Sequence, residues 1–515
     1  MTNLKQISIS KCKKAPVWSF GILNLFGTWS LEFGIYQRQN KAARGFILAL
    51  VAVFGAIFLT VGTALASFLL VMQRAEQIRV ENEQALAIAE AGVNYYAWHL
   101  AHFPLDLQDG TGQGGPYVHA YADPEGGTAG SFSLSINGNL KCGQATSIDI
   151  TSAGWPESNP ARTRTVFARY ARESVAAYSY IVNASVWAGA SRTISGKYHS
   201  NNGVRMDGNN LSVVESSVAT WSCNSNFGCS PTQSKPGVFG SGSNPAYFSY
   251  PVSQVDFAGI TVNLSTLKAA AQTGGGIYFT TASGSQNSRG YHLIFKVNGT
   301  VDVYRVSATT PVRTYSDAVG DFYTEYTIIK TQTFLGNYAI PSACSVIFVN
   351  DRVWVEGVVK GKVTVAAADL SGSGLTPDAI LPNNITYAAY DGTNGLTVVA
   401  AGNVLIPLNS PDVMEIHGVF IAQNGYYGRN YYFYNFWDSD SVPSAYQTYV
   451  IQNSLTTVGS VVSNGRTGTS WSCGGTTCSG YTTRIDSYDG TLATNPPPFT
   501  PYTSTQYNFV QWRQQ

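Results

Sequence analysis

Apolar and polar positions divide the chain into three textures. From Phe46 to Met72 no charged residue interrupts an apolar run. Roughly 20 residues rising about 1.5 Å each cover the hydrocarbon core of a bilayer, so this run predicts a membrane-crossing helix. No proline intervenes between Gly45 and Pro104, so the helix is expected to continue past the apolar run. From Arg74 it turns polar, with Glu76, Arg79, Glu81 and Glu83, while Leu86, Ala89, Val93, Tyr96 and Leu100 recur three and four apart and form one stripe. Such a stripe has to be covered by the domain that follows.

Pro104 to Gly130 is rich in Gly, Pro and Asp and reads as a loop. Alternation with a period of two then marks Ser131 to Asn137, Ser147 to Ala153 and Thr163 to Tyr170, a small antiparallel sheet with a turn at Asn137-Gly138. Beyond Ser179 short β-branched segments dominate, and only Leu264 to Gln272 has helical length. The clearest strands are Val346 to Val349, Val353 to Val359, Lys362 to Ala367, Leu396 to Ala400, Val404 to Ile406 and Val413 to Ala422. Apolar residues on consecutive positions suit strands buried on both faces, as in a right-handed parallel β-helix; a β-sandwich is the alternative. Asn495-Pro496-Pro497-Pro498-Phe499 cannot continue a ladder and is expected to wrap over the β domain, with Trp512 packed on it.

The expected organisation is therefore α+β and membrane-anchored. Residues 1–45 are a basic leader, 46–104 a transmembrane and stalk helix, 105–178 a small α+β head, 179–494 a large all-β domain and 495–515 a Pro-rich cap.

Composition sharpens this picture. Charged residues make up only 12% of 515, while Gly (51) and Tyr (31) are abundant, a balance suited to extracytoplasmic β structure. The net charge of +1 hides an asymmetry: residues 1–45 carry seven Lys and Arg against Glu32, a net +6, which leaves −5 for the remainder. That excludes a basic surface for nucleic acid and, by the positive-inside rule, keeps the N-terminus cytoplasmic and the C-terminal portion outside. Of seven cysteines, Cys12 lies in the leader. Cys223 with Cys229 and Cys473 with Cys478 are close enough for short-loop disulfides, with Cys142 and Cys344 as further possible partners. No His stands at ligand spacing to make a zinc site.

The junction Lys41-Ala42-Ala43-Arg44-Gly45, the apolar helix, and Gln84-Ala85-Leu86-Ala87-Ile88-Ala89-Glu90-Ala91-Gly92-Val93 together resemble the N-terminal region of type IV minor pilins and type II secretion pseudopilins. The resemblance covers roughly residues 40 to 105. It implies cleavage by a prepilin peptidase between Gly45 and Phe46, and partners in the lipid bilayer and in other pilin-like subunits through the helix. Major pilins carry Glu at the fifth mature position, where Leu50 stands here. The resemblance therefore implies a minor, tip-located or initiating subunit.

No phosphate loop, His-Glu-x-x-His or nucleophile elbow is present, and no cofactor or metal is called for. Asp369, Asp378, Asp412, Asp438 and Asp440 are scattered as turn residues are. The tract from Tyr426 to Trp437 has two readings: its rings cover the side of the β domain, or Tyr426, Tyr427, Tyr431, Tyr432, Tyr434 and Trp437 are candidates for ligand contact, since aromatic rings dominate binding hot spots and stack on sugars. The expected function is a non-enzymatic surface subunit of a pilus-like filament whose β domain adheres to a glycan or protein or caps the tip. The alternative is a membrane-anchored carbohydrate-active enzyme or carbohydrate-binding protein.

Overall fold

The computed structural model describes residues 44–103, 106–435 and 437–515. The leader with Cys12, Pro104 and Phe436 lie outside the described residues. Contacts divide the chain into two compact units that meet between Gln77 and Ile78.

In the first unit the described residues are helical, part of a helix assigned over Arg44–His102. It is long and apolar enough to cross a membrane, and the side chains of its apolar stretch are exposed. Its few hydroxyls are satisfied within the helix: Thr63 Oγ1 donates to Leu59 O at 2.9 Å and Ser67 Oγ to Thr63 O at 2.8 Å. A helix that answers its own polar groups in this way suits an apolar surrounding.

In the second unit the later part of that helix buries Ala85, Ile88, Ala89, Val93, Tyr96 and Leu100, with Leu86 half-buried beside them. They pack on Phe132, Leu134, Ile148, Ile150, Val166 and Ala168 of an antiparallel sheet. Its five strands, in spatial order, are Tyr117–Ala122, Thr128–Lys141, Gln144–Pro156, Arg164–Ser174 and Tyr502–Gln514. Two expectations need correction here. Asn137-Gly138 is not a turn: Asn137 pairs with Asp149 inside the ladder, and the hairpin reverses at Cys142-Gly143, both with positive φ (50° and 75°), between paired Lys141 and Gln144. Trp512 does not pack on the prolines but pairs with Ala168 in the edge strand, its ring 5.3 Å from that of Phe509.

Between Arg164–Ser174 and Tyr502–Gln514 the chain builds a second, mostly parallel ladder. Its strands follow the spatial order Ile277–Phe279, Val346–Val349, Lys362–Ala367, Gly395–Ala400, Val413–Ala422, Ile451–Ser463, Tyr178–Val182, Lys197–Ser200 and Val214–Ser216. The chain enters in mid-ladder at Tyr178, builds outward to Val214, then returns at the far end and works back to dock Ile451–Ser463 on Tyr178–Val182. Register aligns Ile347, Val365, Val398, Phe420, Val461, Tyr180, Tyr198 and Val214 in one buried row. A shorter row runs Val353, Ala379, Val404, Tyr427. The opposite faces of the same strands, such as Val346, Phe348, Ala366, Val399 and Val419, are covered by the helix Leu264–Gln272 and by Val175, Ala176 and Leu492. Burial on both faces is why these strands are apolar at consecutive positions.

An antiparallel hairpin, Thr300–Ser316 with Asp321–Ala339, leaves the ladder and returns. Residues 495–501 lie along the parallel ladder: Thr364 donates to Pro498 O, and the Thr397 and Thr500 hydroxyls are 2.6 Å apart.

Candidate functional site

The aromatic tract divides by burial. Tyr427 belongs to the second buried row, and Tyr432 is wholly enclosed, as is Arg429. Tyr426 is almost as deeply placed. Tyr426 and Tyr432 hold the hairpin to the ladder, Tyr427 packs inside the ladder, and none of the three presents an open ring face. The Tyr426 and Tyr432 hydroxyls converge with the hairpin's buried Glu325: Tyr432 Oη donates to Glu325 Oε1 at 2.7 Å, Asn430 Nδ2 to Oε2 at 2.6 Å, and Tyr426 Oη to Asn430 Oδ1 at 2.5 Å. Burial, and after it the Glu325 charge, pushes the Tyr426 hydroxyl up to about 12 and that of Tyr432 well above its ordinary value, so both remain donors.

Arg429 fixes the neighbouring loop. Its guanidinium donates to the carbonyls of Tyr449 (2.5 Å), Leu408 (3.2 Å) and Val450 (3.3 Å) and sits 5.0 Å from the centre of the Tyr432 ring. Burial lowers its pKa, and facing carbonyls and ring clouds satisfy the charge it retains.

The outward rings are Tyr431, Tyr434 and Trp437, the last 88% exposed. Tyr431 is anchored to the hairpin by reciprocal backbone bonds with Tyr315, both 3.0 Å, and its ring stacks on Phe433 at 6.1 Å. With Phe433, Gln447, Thr448, Val450, Ile451 and Cys478 the tyrosines line a depression of ≈380 Å³. That volume falls within the range of small-molecule sites. It offers ring faces and amide and hydroxyl groups, so its chemistry is stacking and hydrogen bonding. Sequence reasoning missed the 447–451 wall, because nothing in Gln447-Thr448-Tyr449-Val450-Ile451 distinguishes it from another strand entry.

The acids are engaged one by one. Asp440 Oδ1 takes the Arg313 guanidinium at 2.6 and 3.0 Å, Asp438 Oδ1 accepts the Asp440 amide, Asp412 the Asn453 amide, and Asp378 both nitrogens of Asn403. Asp369 accepts from Ser371, Ser373 and Asn350; against the opposing effect of burial these bonds hold its carboxyl down at about 2. The cysteines of the second unit form three disulfides. Cys223–Cys229 and Cys473–Cys478 close short loops, and Cys142–Cys344 ties the hairpin turn of the antiparallel sheet to the entry of Val346–Val349. Gly45 and Phe46 lie at the first turn of the long helix.

No family model matches the chain, and no curated protein matches it. A solved structure, the competence-associated pilin ComZ from Thermus thermophilus, aligns over 84% of this chain and 97% of its own at 13% identity, with a TM-score of 0.28. An overlap that loose establishes no common fold.

Proposed function

We propose that the protein is a non-enzymatic, pilin-like surface subunit. Its helix enters a type IV pilus-like filament, and its parallel ladder, read as a β-helix, is presented outside the cytoplasmic membrane for adhesion or tip capping. The observation that carries this reading is the helix Arg44–His102: an exposed apolar stretch, Phe46 to Met72, is followed by a stripe, Ala85 to Leu100, that is buried against a sheet. A segment apolar on every face is stable in lipid or among like helices, and an amphipathic one needs a folded domain on one side. The Gly45-Phe46 junction and the Ala-Glu-Ala-Gly segment support prepilin processing, and the disulfides support an oxidising compartment. Leu50 in place of an acid spares the membrane a buried carboxylate and supports a minor rather than a repeating subunit. Tyr431, Tyr434 and Trp437 are the surface rings offered to a glycan or protein.

N-terminal sequencing of protein recovered from membranes and from sheared filaments tests the reading. It expects Phe46 as the first residue in both fractions. Recovery of intact Met1, with none of the protein in filaments, leaves an uncut anchor and removes the proposal.

A further inference from the structure

The depression at the aromatic tract has two walls, and both are fixed before any ligand arrives. In the first, Tyr431 is bonded through its backbone to Tyr315, and its ring stands at a steep angle to those of Trp471 (5.6 Å) and Phe322 (6.4 Å). Tyr432, next in the chain, is enclosed and donates its amide to Ser479 Oγ at 3.0 Å. In the second, the carbonyls of Tyr449 and Val450 receive the buried Arg429, and the Gly480 amide donates to Val450 O at 2.9 Å. Cys478, which also lines the depression, is tied to Cys473. A site held in this way binds without first ordering its own loops.

The lining combines two chemistries and carries no charge. Tyr431 and Phe433 stand two apart on the chain, with ring centres separated by 6.1 Å and planes by 14°, and Val450 and Ile451 add aliphatic surface. Gln447 and Thr448 are exposed and bring an amide and a hydroxyl to the second wall. None of the eight lining residues is charged. Farther along the tract, Asp440 is closed by Arg313 at 2.6 Å.

We infer that this depression binds a neutral saccharide of one or two rings, with a pyranose face on Tyr431 and Phe433 and the sugar hydroxyls on Gln447 and Thr448. This rests on the reading of the outward rings as ligand-facing, and it chooses a saccharide over a protein. A pyranose has an apolar C–H face and an edge of hydroxyls that both donate and accept, which matches ring faces beside an amide and a hydroxyl. Water on the exposed Gln447 and Thr448 is exchanged for those hydroxyls at little cost. At ≈380 Å³ the space is near the lower end of the roughly 300–1,000 Å³ of small-molecule sites, whereas a protein partner ordinarily covers about 800 Å² of each surface. Uronic acids and sulfated sugars would give up water here without gaining a cation.

The test uses protein purified from membranes in a detergent without a sugar headgroup and in glycerol-free buffer. It is titrated with methyl cellobioside, methyl lactoside, methyl maltoside, digalacturonic acid and N-acetylphenylalanine amide, and binding is followed by saturation-transfer NMR. At least one neutral disaccharide is expected to bind, about tenfold more weakly to Tyr431→Ala and about fivefold more weakly to Gln447→Ala, whose exposed side chain can be removed without disturbing the core. Four results overturn the inference: no transfer to any of the three neutral disaccharides, affinity unchanged in both variants, preference for digalacturonic acid, or tighter binding of the phenylalanine amide, which assigns the rings to a protein partner. The N-terminal residue, read by mass spectrometry on the same sample, keeps this inference apart from the pilin-like reading. A chain that begins at Phe46 and binds no sugar overturns the saccharide alone, and a chain that begins at Met1 and binds sugar supports the saccharide on an uncut anchor.

Discussion

The five-stranded sheet and the parallel ladder solve the same burial problem differently. In Thr128–Lys141 buried positions alternate with open ones, because only one face meets the helix. In Gly395–Ala400 all six residues are buried, because the ladder is covered on both sides. A one-residue slip in the first region turns its apolar face to water and is opposed by the hydrophobic effect. The same slip in the second exchanges one apolar face for another. Register there has to be held by shape, and small residues at close backbone approaches supply it.

Gly459 is the sharpest of these and gives the largest expected effect. It pairs with Gly418 in the neighbouring strand, both have positive φ (133° and 153°), and a Cβ on Gly459 would fall well inside contact with the Gly418 carbonyl oxygen. Backbone cannot give way as a side-chain tip can. Gly459→Ala is expected to cost about 3–5 kcal/mol, the sum of conformational strain and overpacking. Hydrogen exchange should show amide protection falling in Val413–Ala422 and Ile451–Ser463 while the antiparallel sheet keeps its own. Uniform loss across both regions would mean that the two are one cooperative body rather than two separately held layers.

Gly154 is the counterpart in the head, with a smaller effect. Its Cβ would meet the backbone of Ala89 and stand 2.6 Å from Ala85 O, so the strand and the helix touch without a side chain between them. A helix can shift outward on its stripe more easily than a strand can leave a ladder. Gly154→Ala is expected to cost about 1–3 kcal/mol and to lower protection at 85–100 with the ladder unaffected. A loss as large as that at Gly459 would erase the distinction between a face held by packing and a register held by backbone contact.

The same contrast explains what could be read from the sequence. The stripe Ala89, Val93, Tyr96, Leu100 and the alternation of Ser131 to Asn137 are periodic signals, and both correspond to observed elements. So do the apolar blocks Val363 to Ala367 and Val413 to Ala422. Pairing over long separations leaves no such trace. Thr503, Ser504, Tyr507 and Asn508 look like a polar tail, yet Tyr502–Gln514 completes the sheet beside a strand that ends at Ser174. The hairpin 300–339 carries no Asn-Gly turn, and Cys142 meets Cys344 across 202 residues. At the aromatic tract, composition leaves cover over the β domain and ligand contact both open; register with Val404 sends Tyr427 inward and Glu325 draws in Tyr432.

The junction between the two regions carries the smallest predicted effect, visible through pH. Lys362, at the start of Lys362–Ala367, donates to Asn495 O, and burial, followed by the Arg169 charge from the antiparallel sheet, lowers its pKa from the usual lysine value to about 7. Between that value and the ordinary 10.5 the unfolded chain binds the proton that the folded chain has released. Stability therefore rises with pH across this window, and the cost of enclosing the ammonium is full below about pH 7. Melting followed from about pH 7 to about pH 9 should show a gain of about 1–2 kcal/mol in the native protein, before tyrosines begin to ionise. Lys362→Met keeps most of the packed stem without a titrating group, so its profile should be flat over the same range and its stability at neutral pH should exceed that of the native chain. A native profile that stays flat would mean that water reaches Lys362, and that the seam between sheet and ladder is open where the Asn495 carbonyl closes it.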